Sequence, residues 1–192
     1  MQKKYKIGYI LLIKYKYCPI GWLIRKITHS NWNHVAWILN DKLVLEIRNG
    51  GIKITPIKRY NNKFFETKII KLLKIKDEDI KYILLDEIIK KKIKSYKLPI
   101  FFTMLGVLLK IKNLRYTCSS YIASLLSKYG FYFIKDKNPL YITPEDINTS
   151  KNVKDVCLCK KEDRYTIYNK IKKVKQEYCF KCKEKLYEKK IK

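Results

Sequence analysis

Apolar residues in the first part of the chain follow the spacing of short strands, with one helix among them. The run 7–13 predicts a buried strand, and the apolar residues between Ile20 and Ile27 recur at helical intervals. Four more strand-like runs follow, at 34–39, 43–47, 51–54 and 64–75. The pattern therefore predicts a sheet of short strands with one early helix.

Helical spacing returns further along the chain, together with capping residues. The segment 77–94 carries acidic residues in its first turn and lysines in its last, as the helix dipole favours. A second helix is predicted over 118–129, with Thr117 as its N-cap and Gly130 as its C-terminal stop. Thr143 precedes a proline and is placed to cap a short helical turn.

The length and the distribution of charge predict one folded domain followed by a basic segment. The chain has 192 residues, of which 47% are hydrophobic, enough to build a core. A last strand is predicted at 153–159, after which charged residues dominate and periodicity is weak. We therefore expect a domain over residues 1–160 and a Lys-rich helix or loosely ordered tail over 161–192.

The chain is strongly basic, with 44 Lys and Arg against 17 Asp and Glu and a formal net charge of +27. This charge favours an anionic surface, membrane or polymer, as a partner at low salt. Only five of the 44 are Arg, and the lysines are spread along the whole chain. Because specific readout of nucleic acid favours the Arg fork, no specific nucleic-acid partner is predicted.

Cysteine usage and the apolar runs bear on the cellular compartment. The six cysteines do not have the spacing of a small disulfide scaffold, and no signal peptide is recognisable. The longest apolar run, 98–109, has 12 residues and is too short to span a bilayer. We therefore expect a cytoplasmic protein with free thiols.

Two predicted strands form a hairpin whose register decides which side chains meet. A three-residue loop at 40–42 pairs Trp37 with Leu45 and places the large apolar side chains on one face. His34 and Glu46 then lie on the other face as diagonal neighbours, within reach of a hydrogen bond. A two-residue loop would send Glu46 to the opposite face. The favoured register therefore predicts a base with an orienting acid.

Cys118 stands at the start of a predicted helix, where unpaired backbone amides favour a thiolate over a thiol. An imidazole on a neighbouring strand, such as that of His34, would hold the thiolate as an ion pair. Structural alternatives remain open for each residue. Cys118 could be a small core residue, His34 a structural histidine, and Glu46 a polar group on a wet face. His29 competes with His34 for the role of base.

Five segments stand in an order and spacing that match a known family. They are 8–12, 33–38, 44–47 with 51–56, 116–120 and 143–147. Together they resemble the circularly permuted NlpC-type papain-like cysteine hydrolases of the YiiX-like branch. In that branch the strand with the catalytic His precedes the helix with the catalytic Cys.

The resemblance implies an α+β, papain-like fold in which an antiparallel sheet packs against helices. It implies a cysteine amidase or peptidase with Cys118 as nucleophile, His34 as general base and Glu46 as the orienting acid. Tyr96 would assist the oxyanion or substrate, and no cofactor or metal is implied. Substrates would be peptides, muropeptides or lipid-linked acyl groups. Tyr9 stands where an acidic residue is common, which leaves the substrate open.

Other interpretations remain. The apolar run 98–109 could line an acyl-chain pocket, as in a lipid or thioester acyl hydrolase or acyltransferase similar to lecithin:retinol acyltransferase, or could be a core segment. Four cysteines near the C-terminus could ligate zinc, or two of them could fit the edge of the last strand; they are Cys157, Cys159, Cys179 and Cys182. A basic binding protein without catalysis is the third alternative.

Overall fold

The computed structural model describes residues 6–48, 51–90 and 116–156, together with the backbone of three later strands at 164–169, 174–179 and 185–190. The chain divides into two compact units. One unit spans Tyr5–Asp155, and the other contains the three later strands.

The larger unit is built on a six-stranded antiparallel sheet with the strand order β4-β3-β2-β1-β5-β6. Its strands are β1 Ile10–Tyr15, β2 His34–Ile38, β3 Leu43–Arg48, β4 Gly51–Pro56, β5 Phe65–Leu72 and β6 Val153–Asp155. Its helices are α1 Pro19–Thr28, α2 Asp77–Lys90, α3 Cys118–Ser127 and α4 Pro144–Asn148. Short 3₁₀ turns lie at Ile57–Tyr60 and Pro139–Tyr141. The fold is α+β.

Side chains alternate across the sheet and form two apolar clusters. On one face, strand residues such as Leu12, Trp37 and Leu45 pack with buried residues of α2 and α3, including Leu84 and Leu126. The opposite face carries a smaller cluster; its buried members are Leu11, Ile13, Ala36, Ile38, Val44 and Tyr60. Because both faces are covered, polar side chains that point into the second cluster are also removed from water.

The hairpin of β2 and β3 has the predicted register. Trp37 is opposite Leu45, Ile38 is opposite Val44, and the Leu39 amide donates to the carbonyl of Leu43 at 3.0 Å. The loop at 40–42 therefore has three residues. This geometry brings the start of β2 beside the end of β3 at one end of the sheet.

Helix α3 begins where its sequence predicts, and side chains satisfy the amides of its N-cap residue and its third residue. The Thr117 hydroxyl accepts from the Ser120 amide at 3.1 Å, and the Ser120 hydroxyl accepts from the Thr117 amide at 2.7 Å. Thr143 and Asp146 form the same kind of capping box at α4. These boxes fix the chain direction on entry to both helices.

The C-terminal segment corrects one prediction. Residues 161–192 were expected to be a helix or tail, but they contain three antiparallel strands: β7 Arg164–Asn169, β8 Val174–Cys179 and β9 Lys185–Lys190. Aromatic and β-branched residues recur in the first of these strands, at Tyr165, Thr166, Ile167 and Tyr168. Their preference for extended backbone outweighs the charge that suggested an open helix.

Several predicted features fall outside the described residues. They are Tyr96, the apolar run 98–109, Cys157, Cys159 and Cys182. Among the described helices, none has the length and apolar character needed to cross a bilayer.

A glycine pair offers a test of the packing between the sheet and α2. Gly8 has φ +84°, and a Cβ there would overlap the Cγ2 of Ile80 on α2. We expect Gly8→Ala to lower the free energy of unfolding by at least about 2 kcal/mol, measured by urea denaturation.

Gly130 is the matched control, since it has φ +76° but open space around its Cα. Gly130→Ala should cost only about 1 kcal/mol. Equal losses in the two variants would contradict the packing.

Candidate active site

An acid–base pair lies at one end of the sheet, where β2 begins and β3 ends. The Nε2 of His34 is 2.6 Å from the Oε2 of Glu46. Both residues are buried, at 6% and 2% exposure. The diagonal placement predicted from the hairpin register is thus present, and the imidazole orientation is fixed by the carboxylate.

The Glu46 carboxylate has further partners from the next strand and turn. The Tyr60 hydroxyl donates to Oε2 at 2.5 Å, and the Nη1 of Arg48 lies 3.9 Å from Oε1. Oε1 has no well-aligned hydrogen bond among the described residues, although the Thr55 hydroxyl lies beside the carboxylate. Burial alone would raise the pKa of Glu46. The hydrogen bond and charge of His34, with smaller contributions from Thr55 and Tyr60, lower that pKa to about 2.

Tyr60 is held in its neutral form, which keeps it a donor. Burial and the neighbouring charge of Glu46 raise the pKa of the Tyr60 hydroxyl far above its ordinary value. The hydroxyl therefore keeps its proton and donates a hydrogen bond to the carboxylate. Its ring packs edge-on against Phe65 at a centroid distance of 5.3 Å, which holds the hydroxyl in position.

Cys118 is the first residue of α3 and lies beside His34. It is 9% exposed, and the capping box leaves its sulfur free of the helix backbone. Burial lowers the pKa of His34, but the negative charge of Cys118 and its hydrogen bond to the ring act in the opposite direction. With smaller contributions from Tyr15 and Glu46, they hold the His34 pKa well above its ordinary value. The imidazole thus connects the carboxylate of β3 with the thiol of α3.

A second cysteine, Cys18, also stands at a helix start but is used differently. It is the N-cap of α1, and its sulfur accepts from the Gly21 amide at 3.4 Å. No titratable side chain pairs with its sulfur in the described part of the chain. A position at a helix start therefore does not distinguish Cys118 from Cys18. The imidazole beside Cys118 is what distinguishes it.

The loop before β2 is tied down, which fixes where His34 emerges. The Asn31 amide donates to the Oε2 of Glu145 at 2.7 Å, and the Ser30 hydroxyl donates to the same oxygen at 3.3 Å. The Oδ1 of Asn33 accepts from the Tyr15 amide at 2.9 Å. The Tyr15 ring then lies 6.1 Å from the imidazole of His34, between centroids. Helix α4, through Glu145, and strand β1, through Tyr15, thus both support this end of the site.

The structure brings together three of the four predicted site residues: Cys118, His34 and Glu46. The fourth, Tyr96, lies outside the described residues. The competing base, His29, lies at the exposed end of α1 with φ 47°, and no described contact joins it to Cys118 or Glu46. No group of three or more His, Cys, Asp or Glu side chains in the described residues is arranged to hold a metal ion.

Sequence reasoning missed Tyr60 and Thr55. A signal for Thr55 was available, since β4 pairs with β3 so that Thr55 is opposite Val44 and on the face of Glu46. Tyr60 is the last residue of a 3₁₀ turn, and the direction of that turn has no pattern in the sequence. A buried carboxylate needs more than one donor, which is the general argument that would have prompted a search for both.

Comparisons with known proteins find a likeness in structure but none in sequence. No protein-family model matches the chain, and no curated protein matches its sequence. The structure is similar to the crystal structure of the metalloprotein yiiX from Escherichia coli O157:H7, with 16% sequence identity and a TM-score of 0.48. The likeness covers 79% of this chain and 96% of that one.

The depressed pKa of Glu46 predicts how stability depends on pH. Because the folded pKa of about 2 lies below the ordinary 4.5, the carboxylate stabilises the fold above pH 4.5 and loses this contribution as pH falls toward 2. The contribution is roughly 3 kcal/mol. We expect Glu46→Gln to be less stable at neutral pH and to lack this acid-dependent loss, measured by denaturant titrations at several pH values.

Glu66 provides the control for that measurement. It is a half-exposed carboxylate paired with Lys14 at 3.2 Å, so Glu66→Gln should leave the acid-dependent loss intact. His34 contributes with the opposite sign, because its raised pKa stabilises the fold below pH 6.5 and this contribution is lost as pH rises through the raised value. If Glu46→Gln kept the full acid-dependent loss, the pairing described above would be wrong.

Proposed function

We propose that this protein is a cysteine hydrolase that cleaves an amide bond, with Cys118 as nucleophile, His34 as general base and acid, and Glu46 as the orienting acid. The observation that carries the proposal is the position of His34, which lies between the buried Glu46 carboxylate and the thiol at the start of α3. Base, orienting group and nucleophile in this order are the arrangement that activates a cysteine.

The two ring nitrogens of His34 have separate tasks. Nε2 is engaged with Glu46, which leaves Nδ1 as the nitrogen available to the thiol. The raised pKa of His34 favours an imidazolium, whose charge stabilises a Cys118 thiolate as an ion pair. The unpaired amides at the start of α3 add to this stabilisation.

The reaction proceeds in two halves. The Cys118 thiolate attacks the carbonyl carbon, and a C–S bond forms. His34 then gives its Nδ1 proton to the amide nitrogen as the C–N bond breaks and the amine leaves. The neutral imidazole next takes a proton from a water whose oxygen attacks the thioester. The C–S bond breaks, the carboxylic acid leaves, and the thiolate–imidazolium pair is restored.

The first backbone amides of α3 are suited to hold the developing oxyanion. Cys118 and Ser119 are the first two helical residues, so their amides have no acceptor within the helix. Thr117 and Ser120 satisfy each other and do not compete for this role. Tyr96 is a further candidate for the oxyanion from the family resemblance, and its role stays a prediction.

The proposal includes the permuted papain-like arrangement, in which the base strand precedes the nucleophile helix. This chain has that order, with His34 in β2 and Cys118 in α3. The substrate class that we propose is a peptide or muropeptide amide, because an imidazolium beside the thiolate is placed to protonate an amine leaving group. A lipid or thioester acyl substrate would use the same residues without needing that proton at the same stage.

The ion pair predicts selective alkylation of Cys118. At about pH 6 an isolated thiol is almost wholly protonated, so iodoacetamide should modify Cys118 at least about tenfold faster than Cys18. His34→Asn should remove this preference. The change is read by peptide mass spectrometry after a timed quench.

The matched control for alkylation is His29→Asn. His29 is exposed and adopts a left-handed backbone that Asn tolerates, so this variant should keep the fast reaction of Cys118. Circular dichroism checks that both variants are folded. Labelling of Cys118 and Cys18 at equal rates in the wild type would favour a binding protein without catalysis.

Turnover separates the substrate classes. We expect the wild type to hydrolyse peptide or muropeptide amides and Cys118→Ala to lose at least about a thousandfold in rate. Glu46→Gln should retain the covalent step but slow it, because the imidazole loses its orienting charge. Acyl thioesters and phospholipid vesicles form the parallel arm, monitored by mass spectrometry. Turnover in that arm alone would overturn the amide assignment and leave the nucleophile assignment standing.

A further inference from the structure

Helix α1 presents its larger apolar side outward. Large apolar side chains on and beside this helix are strongly exposed; they are Tyr17 at 74%, Ile20 at 55%, Trp22 at 54%, Leu23 at 37% and, from the loop before β5, Phe64 at 53%. We call these five residues the α1 ridge. The inward side of the helix offers only Gly21 and Ile24 as buried residues. A helix on the surface of a soluble domain normally has the opposite orientation.

Several of the exposed side chains contact or neighbour one another. The rings of Tyr17 and Phe64 meet edge to face with centroids 6.2 Å apart. Ile20 and Leu23 are three positions apart on the helix and share a side. The Nζ of Lys26 lies 5.4 Å from the ring centroid of Trp22, and the Nζ of Lys63 lies 5.6 Å from that of Phe64. Each end of the ridge therefore carries a lysine beside an aromatic ring.

The residues around the α1 ridge carry mostly positive charge. Residues 1–40 contain no Asp or Glu and seven Lys and Arg. Near the ridge, Lys16, Lys26 and Lys63 are exposed. Glu66 follows Phe64 closely, but it is paired with Lys14. The ridge is thus apolar and aromatic in its centre, with a positive border.

We propose that the α1 ridge docks the protein on an anionic lipid membrane surface. Trp, Tyr and Phe beside lysines suit the boundary between headgroups and acyl chains, where rings are partly buried and amines reach the phosphates. The outer side of a helix is convex, which suits a fluid surface better than a rigid protein partner. The ten residues of α1 would lie in the membrane plane over about 15 Å, without crossing it.

The ridge also lies next to the candidate active site. A Cβ at Gly21, on the inner side of α1, would contact the Asn33 side chain and the Cβ of Tyr15. Tyr15 in turn lies beside His34. Docking of α1 would therefore bring the site close to the lipid surface. The docking inference itself does not depend on the proposed chemistry.

Tryptophan fluorescence gives a direct readout, because the three tryptophans differ sharply. Trp22 is 54% exposed, whereas Trp32 and Trp37 are 7% and 0% exposed. With phosphatidylcholine vesicles that contain phosphatidylserine, we expect the full-length protein to co-sediment and its emission to shift to shorter wavelength as Trp22 enters the interface. Phosphatidylcholine vesicles without the anionic lipid should bind it much more weakly.

Paired variants test the two parts of the ridge. Ile20→Ser with Leu23→Ser should weaken vesicle binding by about tenfold or more. Tyr82→Ser with Leu85→Ser is the apolar control, since those residues of α2 are exposed at 67% and 56%, and it should bind as the wild type does. The charge reversal K16E/K26E/K63E should also weaken binding. The control K74E/K135E/K151E, at exposed positions away from α1, should weaken it far less.

Several outcomes would overturn the inference. The inference is wrong if folded wild-type protein does not bind vesicles containing phosphatidylserine. It is also wrong if the ridge variants and their controls lose vesicle binding equally. Binding with unchanged Trp22 emission would indicate adhesion by net charge alone. A change of oligomeric state in the I20S/L23S variant, measured by light scattering, would show that a second copy covers the ridge. Cys118→Ala should bind vesicles normally, so failure of the proposed chemistry leaves this test unaffected.

Discussion

A carboxylate removed from water at position 46 is the constraint on which this end of the molecule depends. Taking that charge out of solvent costs several kcal/mol unless donors replace the lost water. His34 and Tyr60 supply the two short contacts, and Thr55 and Arg48 lie alongside. These donors come from β2, β3, β4 and the turn that follows. The need to surround the two oxygens of Glu46 with donors therefore constrains how these consecutive elements are arranged.

At the start of α3, the side chains that cap the helix are different from the side chain that contacts His34. Thr117 and Ser120 satisfy each other's backbone amides through their hydroxyls, so the sulfur of Cys118 is not needed for capping and contacts the imidazole. At α1 the sulfur of Cys18 does the capping itself. The same residue type at two helix starts thus has two different environments, and the difference arises from the residues beside it.

Much of the fold could be predicted from the sequence, because local patterns determine it. The hairpin register followed from the loop length and the alternation of apolar residues, and this register placed His34 beside Glu46. The position of Tyr60 could not be predicted, because it depends on the direction of a 3₁₀ turn. The strands after residue 160 were missed because the high lysine content indicated an exposed helix or tail, although β-forming residues lie between the lysines. The exposed side of α1 was also missed, since helical spacing predicts a buried stripe and does not say which side is buried.

The order of elements along the chain has a consequence for synthesis on the ribosome. All the strands that hold His34 and Glu46 lie in the first third of the chain, whereas Cys118 is translated much later. The His34–Glu46 pair is therefore translated before Cys118, and α3 later brings the thiol beside side chains of the earlier strands. A chain that ends before this helix would carry the His34–Glu46 pair without the thiol, so the chemistry proposed above requires translation through α3.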